Sequence, residues 1–155
     1  SITKTGSDGT GNIGQSDNAF NTIHGKSTSA QYADLAEKYV ADEEYEVGTV
    51  LKIGGDHEVT MCDEDMSTKV VGTVSEHPAV IMNANAQGDH IASVALTGRV
   101  PIKVIGPIAK GDMLVSAGDG KARAEADPKI GSVIGKSLED HEDGNGIIEA
   151  VVGKH

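Results

Sequence analysis

Six histidines are the first residues in this chain that could do chemistry: His24, His57, His77, His90, His141 and His155. Three directly follow an aspartate, in Asp56-His57, Asp89-His90 and Asp140-His141-Glu142-Asp143, and an imidazole beside a carboxylate is suited to holding a metal or moving a proton. No two are spaced as a metal pair on one helix or strand, and these three sit among loop-forming residues. They are expected to be solvated; an ion shared across a symmetry axis is the one arrangement left to them. The acidic run Glu139 to Asp143 lacks the alternating oxygen ligands of a calcium loop and reads as a solubilising loop. Cys62 is the only cysteine, which rules out a disulfide framework or a cysteine zinc site within one chain. It reads as a small half-buried strand residue.

Nucleophiles are plentiful but unsupported. Ser1-Ile2-Thr3-Lys4, Lys4-Thr5-Gly6 and Ser16-Asp17-Asn18 reproduce the three short signatures of serine β-lactamases, yet Lys4 would have to fill two roles and no large helical domain follows to hold them around a pocket. The match is a coincidence of a Ser-, Thr- and Gly-rich composition. Neither a Gly-x-Ser-x-Gly elbow nor a phosphate-binding glycine loop is present. Arg99 interrupts two apolar runs at Gly98 and reads as a rim ion-pair partner, with a carboxylate pair at a subunit contact as the alternative. There is no Trp, and no aromatic follows Tyr45, so glycan recognition by ring stacking is not expected of the β region. No catalytic, cofactor-binding or metal-binding residue is predicted.

The elements that would have to position any site are short strands. Val47 to Ile53, Glu58 to Cys62, Lys69 to Val74, Ala79 to Met82, Ile91 to Leu96, Arg99 to Ile105, Met113 to Val115, Lys121 to Ala124, Ser132 to Ser137 and Gly146 to Val152 each read as β, with Gly, Asp or Pro at nearly every break. Asp119-Gly120 between two of them signals a tight hairpin. The pattern predicts an all-β fold, an antiparallel barrel or sandwich of about ten short strands. Its core must be aliphatic, since Phe20, Tyr32, Tyr39 and Tyr45 are the only aromatics. Burying each aliphatic side chain contributes roughly 1.5 to 3 kcal/mol.

Residues 1–28 differ in kind from the rest. They contain five glycines and only Ile2, Ile13, Phe20 and Ile23 as sizeable apolar groups, too few to offset the ordering entropy of the segment. Ordered, the segment would have to lie against something else, most simply sister copies; Asn12-Ile13-Gly14 followed by Phe20 to Ile23 reads as a turn and then a short strand. Next, Ser27, Thr28 or Ser29 offers an N-cap, and Tyr32, Leu35, Ala36 and Tyr39 recur at helical spacing, which predicts one short N-terminal helix. The chain thus divides into an extended lead-in, 1–28, and a β domain with a junction helix, 29–155. Phe20, Ile23, Tyr32, Leu35 and Tyr39 are the candidate interface residues.

Twenty-four acidic residues against 13 basic ones give a net charge of −11, which repels a polyphosphate and makes nucleic acid an unexpected partner. No apolar run approaches the roughly 18 residues of a membrane span, so no membrane insertion is expected either.

The ordered series Ala30 to Tyr39, Tyr45-Glu46-Val47-Gly48-Thr49-Val50, Val71 to Ser75, Ala95 to Pro101 and Ile134 to Leu138 resembles the C-terminal β domain of tail-fibre and other appendage proteins of tailed bacteriophages. Gly11-Asn12-Ile13-Gly14 and Phe20-Asn21-Thr22-Ile23 are similar to the shaft repeats that precede it. The resemblance implies a viral structural protein of the virion, made in the host cytoplasm. It also implies a homotrimer that promotes fibre assembly with other phage tail proteins, and no cofactor. A more distant likeness is to the self-cleaving domain of phage neck appendage proteins, the G2 peptidase family. Its cleavage dyad has no counterpart that can be placed here, so a self-cleaving chaperone and a host-receptor-binding tip stand as alternative functions.

Overall fold

The computed structural model describes residues 3–7, 10–25 and 29–153. Ten strands follow one another: β1 Asp34–Ala41, β2 Val50–Ile53, β3 Val59–Met61, β4 Val70–Val74, β5 Val80–Met82, β6 His90–Ile105, β7 Met113–Gly118, β8 Lys121–Ala124, β9 Val133–Ser137 and β10 Asn145–Val152. No helix occurs among the described residues. The expected all-β architecture is present as a single sheet in the order β10-β9-β7-β8-β6-β4-β2-β3-β1-β5.

Two extra pairings, β10 with β6 and β6 with β1, bring that order back upon itself twice. One circuit runs through β6, β8, β7, β9 and β10, the other through β6, β4, β2, β3 and β1, and β6 belongs to both. Each circuit has its own aliphatic core. Val100, Ile102, Val104, Leu114, Ala122, Ile134, Ile148, Ala150 and Val152 fill the first, together with Val50 and Cys62. Ala41, Leu51, Val59, Val74, Ala92 and Val94 fill the second.

The 16-residue β6 replaces the two strands expected on either side of Thr97-Gly98. Its inward residues change phase between Val94, in the second core, and Ala95, in the first. Leu96 is skipped in the pairing with β1, where Leu35 faces Thr97 and Ala36 faces Ala95, and such a bulge bends a strand without ending it. Gly98, at φ +110°, completes the bend; a Cβ there would lie 2.1 Å from the Ala33 carbonyl oxygen, so only glycine lets β1 approach.

Other expectations change as well. The helix predicted over Tyr32 to Tyr39 is β1, because residues 34–41 pair along their length with β6 and, at Leu35 to Glu37, in parallel with β5. Backbone pairing on two sides, together with burial of Ala36 and Ala41, outweighs a marginal local helix preference. Antiparallel neighbours dominate, but β1–β3, β1–β5 and β6–β8 are parallel. The hairpin at Asp119-Gly120 forms as expected, with both residues at positive φ, as a two-residue turn of the kind that matches strand twist requires. No strand forms at Phe20 to Ile23, where the described lead-in has only the bridge between Gln15 and Asn18. Ser27 and Thr28, the first two N-cap candidates, lie outside the described residues, as does Ile2.

Candidate functional site

A cleft of about 290 Å³ opens where the lead-in enters the β body. Its walls come from distant stretches of chain: Tyr32 to Asp34 before and at the start of β1, Ser75 to His77 after β4, Arg99 to Pro101 in β6 and Glu149 in β10. Backbone bonds fix them together. Arg99 N–H donates to Ala33 O at 3.1 Å, Ala79 N–H to Asp34 O at 2.9 Å, and Ser75 N–H to Ser93 O at 2.8 Å.

The floor is polar. Asp34, only 6% exposed, accepts a hydrogen bond through Oδ2 from Ser75 Oγ at 2.6 Å. One wall is aromatic, the Tyr32 and His77 rings stacking with centroids 5.3 Å apart at 30°. His77 lies 3.6 Å from a Glu76 carboxylate oxygen. Arg99 and Glu149 complete the rim.

Pro101 explains how a strand can border a cleft without a stranded donor. Arg99 N–H and Lys103 N–H point away from β10, to Ala33 O and to Gly48 O at 2.9 Å. Pro101 sits midway between them, opposite Glu149 of β10, and would point its N–H the same way. Proline has none to leave unpaired, which is why it is tolerated in this strand.

The five candidate interface residues are not brought onto one face. Phe20 and Ile23, 60% and 72% exposed, line a shallow concavity with Ile13 that is built from lead-in residues alone. Tyr32 belongs to the cleft wall. Leu35 is half-buried in β1, opposite Val80 of β5. Tyr39 packs against the second core and donates through Oη to Glu37 Oε2 at 2.8 Å. Arg99, expected in a rim ion pair, makes none among the described residues. Cys62, expected half-buried, is fully buried in the first core. Asp34, Ser75, His77 and Glu149 lie far apart in sequence, and the one local signal of their meeting is the break that Arg99 makes in an apolar run.

The charged groups that do pair form a separate girdle. Lys52 holds Asp63 and Glu64 at 2.5 and 2.8 Å. Arg123 holds Asp65 and Glu125. Among the described residues no three His, Cys, Asp or Glu side chains gather as a metal site.

Fold and cleft together define an all-β chain with an exposed lead-in and a polar cleft at their junction. No protein-family profile matches the chain, and no curated protein does. Among solved structures it is similar to the base of the head fiber protein gp8.5 of bacteriophage phi29, with a TM-score of 0.41 and 17% identity over 77% of this chain and 89% of that one. A likeness of that size carries no function with it.

Proposed function

We propose that the chain is a structural module of a phage virion appendage, in which the β body clasps three copies and their lead-in segments order against one another. It acts by assembly, with other tail proteins as its further partners. One observation carries the reading. Among the described lead-in residues every one but Gly14 is exposed, and each of their hydrogen bonds is to another lead-in residue.

Ile13, Phe20 and Ile23 converge in that segment, and an apolar cluster rimmed by polar residues marks a contact surface. Covering each of the three would contribute roughly 1.5 to 3 kcal/mol, which is the term the segment lacks alone. The motif series from Ala30 to Leu138 and its likeness to appendage domains support the same assignment.

Hydrogen exchange over residues 10–25 tests it. Slow exchange in the full chain, abolished by Phe20→Ser together with Ile23→Ser, is expected. Exchange at the rate of an unstructured peptide in the unaltered chain would remove the reading.

A further inference from the structure

We propose that the cleft between Tyr32, Ser75, Arg99 and Glu149 binds a neutral pyranose unit of a saccharide. This is an activity separate from assembly, and it rests on the side chains of one copy.

Four features define the ligand. First, the Tyr32–His77 stack stands at the surface, with Tyr32 43% exposed and the His77 side chain 60% exposed. It therefore offers an outer ring face to a flat, weakly polar partner. Second, Asp34 is more than nine-tenths buried, yet Ser75 engages only its Oδ2. Oδ1 has no partner among the described residues and is not among the fully enclosed atoms, so a residue that lines the cleft keeps a free strong acceptor.

Third, the two arginines of the chain differ. Arg123 is occupied by Asp65 and Glu125, whereas Arg99 lines the cleft with no ion-pair partner among the described residues. Fourth, Glu76 and Glu149 also border the opening.

The charges select the chemistry. Asp34, Glu76 and Glu149 line the cleft with a single arginine, Arg99, on a chain of net charge −11, so an anion is repelled. An amine would leave Arg99 unused. A neutral polyol fits both, because each hydroxyl donates to a carboxylate while accepting from the guanidinium. The ring stack adds the requirement for a flat C–H face, which a pyranose has and a linear polyol lacks. The cleft volume, about 290 Å³, is at the small end of ligand pockets, about 300 Å³, and suits a single sugar ring.

The test is a titration of the full chain with methyl α-D-glucopyranoside, methyl α-D-mannopyranoside and methyl β-D-galactopyranoside, followed by NMR at the Tyr32 and His77 rings and the Arg99 guanidinium. Sorbitol and glucuronate serve as the ringless and anionic comparisons. At least one pyranoside is expected to shift all three groups at millimolar concentration, with sorbitol and glucuronate weaker by about tenfold or more. Tyr32→Ala and Arg99→Ala change exposed side chains and preserve the fold; each should weaken that binding by about tenfold or more, as should Asp34→Asn. Lys110→Ala, outside the cleft, should leave it unchanged. The proposal is overturned if no pyranoside shifts these groups, if sorbitol or glucuronate binds as tightly, or if the Tyr32 and Arg99 variants bind like the parent.

Discussion

Arg123 of β8 grips Asp65 of the loop after β3 through two parallel hydrogen bonds, Nε to Oδ1 at 2.7 Å and Nη2 to Oδ2 at 3.0 Å. The same guanidinium reaches Glu125 through Nη1 at 2.8 Å. This fork is the most specific ion pair of the girdle, since a planar guanidinium matches a carboxylate in both position and orientation.

These partly exposed pairs add a salt-screened, acid-sensitive contribution to the stability of the fold. Hydrogen bonds from Arg123 hold the Asp65 and Glu125 carboxyls below their usual range. Those from Lys52 do the same for Asp63 and Glu64. A carboxyl depressed in the folded state gives its full stabilisation above the unfolded value, about 4, and loses it as pH falls towards the folded value. The urea midpoint should therefore drop between about pH 5 and about pH 3, and added salt should shrink the drop. Arg123→Ala should flatten part of it. A midpoint constant through this window would contradict the assignment.

Backbone approach makes a sharper mutational prediction. At Gly98 a Cβ would meet the Ala33 carbonyl oxygen at 2.1 Å and Asp34 Cα at 2.7 Å, whereas at Gly106, φ +84°, nothing lies within 4 Å. Gly106→Ala should cost only the left-handed backbone penalty, about 1 to 2 kcal/mol. Gly98→Ala must also displace β1 and should cost more than about 3 kcal/mol. Equal urea midpoints for the two variants would mean that β1 does not pack as described.

Tyr39 contributes to the alkaline side of the stability profile. Burial first, then its hydrogen bond to Glu37, pushes its phenol up to about 12. A phenol raised in the folded state stabilises the fold at pH below its unfolded value, about 10, and that contribution is lost as pH rises through the folded one. The phenolate absorbance missing from Tyr39→Phe should thus appear near the top of the titration, and Glu37→Gln should bring it down. Ionisation of Tyr39 with an unshifted midpoint would contradict its burial against the second core.

The strands were legible where they signal themselves locally. Residues 50–53, 70–74 and 121–124 carry apolar residues bounded by turn formers, and Asp119-Gly120 announces its hairpin. β1 was not, because Tyr32, Leu35, Ala36 and Tyr39 satisfy a helical spacing while the partners that make the segment a strand, Val80 to Met82 and His90 to Gly98, lie far along the chain. Thr97-Gly98 looked like the end of a strand because alternation fails there, and pairing across the Leu96 bulge has no local mark. The parallel neighbours were hidden for the same reason. As for the cleft, Tyr32 has the spacing of a helix face and Arg99 the setting of a rim pair; only the fold brings them together with Asp34, Ser75 and His77.

The central claim, that the lead-in is completed by sister copies, is tested most directly by the mass of the full chain in solution, measured by multi-angle light scattering at high micromolar concentration. Three times the chain mass is predicted, falling when Phe20→Ser and Ile23→Ser are combined. A particle with the mass of one chain at that concentration would contradict the account.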